Sequence, residues 1–156
     1  MAGDPKDSEF YPADNPAAIA HIDLLQGIIN RLANNSASCK TWCLTLVSAL
    51  LSFAGSTHNG AVVIPAVIPI VVLGFLDASY LAQEQAYRKL YDEIVGKLRA
   101  GSYKIGDAFK AEAPTPVFRE AFWSWSVAPM YLSLLALYIA FAVAWAAGAL
   151  VWLTKT

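Results

Sequence analysis

The sequence predicts an all-α membrane protein with three transmembrane helices, and two observations carry this prediction. Of the 156 residues, 57% are hydrophobic and only 15% are charged, which is typical of a small multi-pass membrane protein. The charges are clustered, so stretches with at most one charge remain at about 37–57, 61–81 and 130–153. Each stretch is close to the roughly 20 residues that a helix needs to cross a bilayer.

The first element is a polar tail followed by a helix start. Residues 1–15 offer little to bury, so we expect a disordered tail, and they lack the basic and apolar segments of a cleavable signal peptide. Asn15 suits a helix cap and Pro16 suits the first helical position. An apolar row then predicts an amphipathic cytosolic helix over 16–36. The row is Ile19, Ile22, Leu25, Ile29 and Leu32.

No helix breaker separates residues 16–36 from the apolar stretch at 37–57, so one helix should continue into the first span. It carries a row of polar, mostly small side chains at steps of three and four. The row is Arg31, Asn34, Ser38, Thr41, Thr45, Ser48 and Ser52. Residues at this spacing share one helix face, which faces either water or another helix, and the sequence leaves both alternatives open. A disulfide between Cys39 and Cys43, four residues apart on one helix, would need distorted geometry, so we expect free thiols.

The second span, about 61–81, should form a transmembrane hairpin (37–81) with the first, separated by a turn over residues 55–60. Pro65 and Pro69 would either delay the start of its helix or kink it. Beyond Asp77 the helical pattern continues to about residue 100, which predicts a cytosolic extension. A carboxylate near a membrane boundary usually faces protein or water, and Glu84 and Arg88 have the spacing of a helical ion pair.

Residues 82–129 comprise this cytosolic helix and a linker. Residues 101–113 are weakly patterned, and Pro114 and Pro116 exclude a continuous helix. The aromatic residues that follow predict an interfacial belt. They are Phe118, Phe122, Trp123 and Trp125.

The third transmembrane helix falls in the last segment, 130–156, which Pro129 opens. Small residues recur every four positions along it, a spacing that lets helix backbones approach closely. They are Ala136, Ala140, Ala144 and Gly148. Docking within one chain and docking between subunits remain equal alternatives.

The basic residues predict an orientation. Ten of the eleven Lys and Arg residues precede the first span or lie between the second and third. The positive-inside rule then places the N-terminus in the cytoplasm and the C-terminus outside.

One group of positions resembles a known family. In the first helix these are His21, Leu25, Gln26, Ile29, Arg31, Ala33, Asn34, Ser36, Lys40 and Trp42, and in the second Asp77, Tyr80, Leu81, Glu84, Tyr87, Arg88, Leu90 and Tyr91. Over about residues 21–91, roughly half the chain, this pattern is similar to the SLATT-type effectors, small bacterial membrane proteins whose relatives are often encoded with antiphage or nucleotide-signalling modules. Leu32 stands where Met is frequent, and the third span lies outside the two-span pattern. The resemblance implies an inner-membrane effector that oligomerises or opens and depolarises its own cell.

Enzymatic function is not expected. No carboxylate pair, Cys/His set or phosphate-binding glycine loop is present, and His21 and His58 should lie on opposite sides of the membrane, so we expect no catalytic site, cofactor or metal. The net charge of −1 gives no indication of nucleic-acid binding.

The sequence therefore predicts an oligomeric pore-forming or membrane-perturbing effector in the bacterial inner membrane, with the bilayer and further copies of the chain as partners. The alternative is a non-conducting anchor or adaptor that recruits a soluble partner through its cytosolic helices. The candidate gating or cytosolic contacts are His21, Arg31, Asp77, Glu84 and Arg88.

Overall fold

A computed structural model describes residue 12 and residues 15–57, 64–65 and 67–153, with side chains described up to residue 148. Its helices are α1 (Pro16–Thr57), α2 (Val67–Arg99), α3 (Phe118–Phe122) and α4 (Ala128–Leu153), with a short 3₁₀ helix at Ile105–Asp107. The described part of the chain contains no strand, which confirms the all-α prediction. Three helices, α1, α2 and α4, are long and apolar enough to cross a membrane, as predicted. The prediction of a disordered tail over 1–15 falls almost entirely outside the described residues, as does His58.

The first helix is continuous, as the sequence predicted. The Asn15 side chain accepts a hydrogen bond from the Ala17 N–H at 2.8 Å, which confirms the cap. The helix has 42 residues and is about 63 Å long, roughly twice the thickness of the hydrocarbon core. It ends at Thr57, so the turn predicted to begin at residue 55 is helical over its first three residues. The Thr57 hydroxyl donates to the Phe53 carbonyl, four residues earlier, at 2.8 Å.

The second helix begins late, which is one of the two outcomes expected from its prolines. It starts at Val67, and Pro69 lies in its first turn, where a missing N–H costs nothing. It ends at Arg99 because Gly101 adopts a φ of +63°, which is favourable only for glycine. The N–H of Gly101 then donates to the Leu98 carbonyl, and the N–H of Ser102 donates to the Lys97 carbonyl.

The chain forms two compact units. The polar unit comprises Met1–Asn34 and Tyr80–Val117, and the apolar unit comprises Asn35–Ser79 and Phe118–Thr156. Of the 11 basic and 12 acidic residues, only five belong to the apolar unit. These five are Lys40, Asp77, Arg119, Glu120 and Lys155.

The polar unit has its own core, in which a residue of the linker takes part. The core consists of Ala18, Leu25, Leu90, Ile94 and Tyr103. Tyr103 is fully buried, so the weakly patterned linker is packed against the helices rather than merely connecting them. The predicted apolar row of α1 was wrong at Ile19, which is 50% exposed, because Ala18 and His21 face the core instead.

The apolar unit presents large apolar side chains on its outer surface. Trp42, Phe53, Val71, Leu137 and Val143 are each more than half exposed. Contiguous apolar surface of this kind is typical of proteins that contact a membrane. The apolar unit combines this surface with few charges and contains parts of all three helices that are long and apolar enough to cross a membrane, as a multi-pass membrane protein requires.

Candidate functional site

The most unusual site in the apolar unit is a buried carboxylate. Asp77 lies on α2, and its side chain is 0% exposed. The Lys40 ammonium lies 2.7 Å from both carboxylate oxygens, in hydrogen-bond alignment with Oδ1 and as a charge contact with Oδ2. The Ser36 hydroxyl also donates to Oδ1. The prediction that Asp77 faces protein rather than lipid agrees with this arrangement.

Helix periodicity explains why two residues of α1 reach the same carboxylate. Ser36 and Lys40 are four residues apart and therefore lie on one face, where the ammonium also donates to the Ser36 hydroxyl oxygen at 3.0 Å. Lys40 remains 22% exposed, since its long side chain extends from the helix edge to Asp77. The three groups form a closed network that links α1 to α2.

The beginning of α4 packs against α2 one turn before this site. The Tyr131 hydroxyl donates to the Leu73 carbonyl at 3.3 Å. The Tyr131 ring lies against Gly74, where a Cβ atom would come within 3.1 Å of ring carbon Cδ1. Polar contacts therefore join α2 to α1 at Asp77 and to α4 at the Leu73 carbonyl, four residues earlier.

The two cysteines lie next to this network. Cys39 and Cys43 are buried free thiols, as predicted. The Cys43 thiol donates to the Pro69 carbonyl at 3.6 Å, within the same α1–α2 interface. Their burial places them on the inner face of α1, together with Ser36 and Val47.

The predicted hydroxyl row of α1 lies on a different face. Its members from residue 34 to residue 52 are all exposed. They are Asn34, Ser38, Thr41, Thr45, Ser48 and Ser52. The hydroxyls of Thr41 and Thr45 donate to the carbonyls four residues earlier, at 3.1 and 2.8 Å. The row is thus available to water, lipid or another chain, and its own backbone satisfies two of its hydroxyls.

The small residues of α4 are also outside the intrachain interface. Ala136, Ala140, Ala144 and Gly148 are exposed, while Tyr131 and Leu134 are buried on the opposite face. Of the two docking alternatives, docking within the chain is therefore not the arrangement that the described residues adopt.

The remaining candidate contacts belong to the polar unit. Glu84 is only 7% exposed and pairs with Arg88, whose Nη2 lies 2.7 Å from Oε1. The helical spacing predicted this pair, but its carboxylate is buried, whereas a pair on a helix surface is normally solvated. Arg31 is exposed. Asp77 lies in the other unit, so the five candidates do not form one cluster.

His21 is fully buried and holds the linker. Its Nε2 lies 3.1 Å from the Lys110 carbonyl, which can only accept, so this nitrogen carries a hydrogen. In the neutral imidazole, Nδ1 then accepts from the Tyr103 hydroxyl at 2.7 Å. Sequence reasoning missed Tyr103, whose only signal was an aromatic residue shortly after the helix-ending Gly101.

Charged residues hold the middle of the same linker, at Asp107 between Tyr103 and Lys110. The Lys97 ammonium lies 3.0 Å from Glu93 and 3.2 Å from Asp107. Burial alone would raise the pKa of Asp107, but hydrogen bonds from the Lys104 N–H and from Lys97 outweigh it and lower the pKa below its ordinary value. The hydrogen bond to Glu93 is the main reason why the pKa of Lys97 is raised.

Comparison of this chain with protein families, curated proteins and solved structures finds no match.

Proposed function

We propose that this chain is a homo-oligomeric inner-membrane effector that opens a polar pathway through, or otherwise perturbs, the bacterial membrane in antiphage defence. The observation that carries the proposal is the hydroxyl row from Thr41 to Ser52, which lies on an exposed face of a membrane helix. A lipid-facing hydroxyl gains little, whereas the same row in an oligomer can face a hydrated axis or a neighbouring subunit. The resemblance to SLATT-type effectors points to the same activity.

In this proposal, the buried Lys40–Asp77 ion pair stabilises the closed state. Lys40 and Asp77 hold α1 and α2 together, and in the sequence Lys40 lies between Ser38 and Thr41 of the hydroxyl row. Both α1 and α2 run through the polar unit and the apolar unit. The boundary residues of the polar unit are Asn34 in α1 and Tyr80 in α2. A signal received by the polar unit would open the pathway by rotating α1, which requires a rearrangement of the Lys40–Asp77 contact. The proposed orientation places the polar unit in the cytoplasm.

Ion leakage from proteoliposomes that contain the protein tests this function. Thr45→Leu and Ser48→Leu should together reduce ion leakage severalfold, because leucine side chains keep water out of the row. The control is Leu46→Phe, which adds apolar volume at an exposed position of α1 that is not three or four residues from any member of the row. Leakage that stays the same in the double variant would remove the row from the mechanism. A monomeric particle in a bilayer mimic would contradict the oligomer.

A non-conducting anchor or adaptor is the second candidate, and a groove in the polar unit favours it. The groove has a volume of about 330 Å³ and lies between the two helices of this unit. Its polar lining includes Gln26, Asn30, Arg88, Tyr91 and Asp92. If the chain is an adaptor, Arg88→Ala and Tyr91→Ala should abolish its cellular effect, while Thr45→Leu should leave that effect intact.

A further inference from the structure

The linker of the polar unit contains a strained residue next to its contact with a buried histidine. Among the described residues, only Phe109 combines a side chain with a positive φ, of +61°. A bulky aromatic residue is unfavourable in this conformation, which persists only where the surrounding structure holds it. The next residue is Lys110, whose carbonyl accepts from His21 Nε2 at 3.1 Å, and the Phe109 ring has its centroid 6.3 Å from that of His21. The contact with His21 therefore holds the chain directly after the strained residue.

Both hydrogen bonds of the His21 ring depend on its protonation state. The ring is fully buried, and its Nδ1 accepts from the Tyr103 hydroxyl at 2.7 Å while Nε2 donates to the Lys110 carbonyl. An imidazolium donates from both nitrogens, so its Nδ1–H would point at the hydrogen of the Tyr103 hydroxyl. That hydroxyl would have to reverse its role inside the core. Only the neutral ring fits the docked linker as it stands.

The surroundings of His21 offer a positive charge no counter-ion among the described residues. Its two hydrogen-bond partners are a hydroxyl and a carbonyl, and no described carboxylate bonds to the ring. The titratable side chains of the surrounding core are Tyr87 and Tyr91 of α2 and Tyr103 of the linker. The charged side chains of the neighbouring sequence are exposed or already paired. They are Asp23 of α1 and Lys104, Lys110 and Glu112 of the linker, which are exposed, and Asp107, which binds Lys97.

We propose that His21 is a pH-sensitive latch, and that protonation of its ring in mildly acidic solution releases the linker from the core of the polar unit. In the released linker the imidazolium is hydrated, whereas in the docked linker it is buried without a counter-ion. Protons therefore bind preferentially to the released state. Docking is most stable above the ordinary titration range of histidine, at about pH 6.5, and weakens as the pH falls below it.

Relaxation of the backbone acts in the same direction as protonation. Once the Lys110 carbonyl is free of His21, Phe109 can return to a negative φ and lose its strain. The latch lies wholly within the polar unit, so it stands independently of the proposed pore.

Hydrogen exchange of the linker amides tests the latch. The full chain is placed in lipid nanodiscs, and exchange is followed at Asp107 and Ala108, whose N–H groups donate to the carbonyls of Lys104 and Ile105. Relative to the intrinsic rate at each pH, their protection should fall about tenfold between pH 7.5 and pH 5.5, because release takes up one proton. Asp107 itself does not titrate in this range, since its pKa is lowered below 3.8. Protection that is the same at both pH values would overturn the proposal.

The chain has two histidines, and replacing each separately identifies the one that responds. His21→Gln keeps a donor and an acceptor but cannot be charged, so its linker protection, whether high or low, should no longer depend on pH. His58→Gln is the matched control and should retain the full response. It also leaves His21 as the single histidine, so the imidazole titration measured by NMR should have the same midpoint as the loss of protection. A pH response that persists in His21→Gln, or two midpoints that differ, would contradict the latch.

Discussion

Two helices carry the same row of small residues at four-residue spacing, and their environments are opposite. In α2 the row is Gly74, Ala78, Ala82 and Ala86, and in α4 it is Ala136, Ala140, Ala144 and Gly148. The α2 row is buried, whereas the α4 row is exposed. Spacing therefore permits two helices to approach closely but does not determine which face they use.

Polar side chains that bond to a neighbouring helix account for the different burial of the two rows. Asp77 lies beside Ala78, and its contacts with Ser36 and Lys40 turn this face of α2 toward α1. On α4 the polar anchor is Tyr131, which lies on the face opposite the small residues. In lipid, apolar surfaces gain little by meeting each other, so hydrogen bonds and close packing select the buried face.

The largest effect on stability should come from breaking the Lys40–Asp77 ion pair, which holds the small-residue face of α2 against α1. Lys40→Met leaves the Asp77 carboxylate buried without its counter-ion and should lower the free energy of unfolding by about 3–5 kcal/mol. A thiol-reactive dye can follow unfolding, because Cys39 and Cys43 are buried. The double variant Lys40→Met with Asp77→Leu should recover most of the loss. Arg31→Met is the control, and a single variant as stable as this control would contradict the role of the pair.

The next effect compares the two small-residue rows directly. Ala78→Leu forces extra volume into a buried interface and should cost about 1–3 kcal/mol in unfolding free energy. Ala140→Leu makes the same change on the exposed row and should remain within about 0.5 kcal/mol in the monomer. If α4 docks between subunits, the second variant should instead shift the oligomer distribution measured by crosslinking. Equal destabilisation by both variants in the monomer would remove the distinction between the rows.

Replacing the glycine of each row by alanine should give smaller changes in stability, of opposite sign in α2 and α4. Gly74→Ala places a Cβ atom 3.1 Å from the Tyr131 ring, so the ring must shift, and we expect a loss of about 1 kcal/mol. Gly148→Ala meets nothing within 4 Å, so the better helix propensity of alanine should stabilise α4 by roughly 0.5 kcal/mol. The two melting temperatures, measured by the same dye assay, should move in opposite directions. A stabilising Gly74→Ala would show that the Tyr131 contact is loose.

The smallest effect concerns an ion cluster outside the apolar unit. The pKa of Asp107 is lowered in the folded state, so its ionised form stabilises folding above its ordinary value of 3.8, and this contribution is lost as the pH falls through the folded-state pKa. Asp107→Asn should therefore cost less than about 1 kcal/mol at neutral pH, and the difference should disappear in acid. Glu112→Gln serves as an exposed control. An unchanged difference at low pH would exclude the charge as its cause.

Several features followed from the sequence because they depend on local chemistry. Asn15 and Pro16 predicted the start of α1, hydrophobic length predicted three membrane-spanning candidates, and the i,i+4 spacing predicted the Glu84–Arg88 pair. The uncharged third span needed no tertiary information, since its composition alone suits hydrocarbon.

The buried face of each helix could not be predicted from local chemistry. The sequence offered several rows at helical spacing, and the tertiary structure buried Cys39, Cys43 and Val47 while leaving the hydroxyl row and Ile19 exposed. Tyr103 entered the core through a hydrogen bond to a histidine 82 positions away, which no local pattern encodes. The sequence by itself determined the three long helices and their fitness to cross a membrane, because those properties depend on neighbouring residues. Only the tertiary structure decided which face of each helix is buried, because distant polar partners such as Lys40, Asp77 and Tyr131 make that choice.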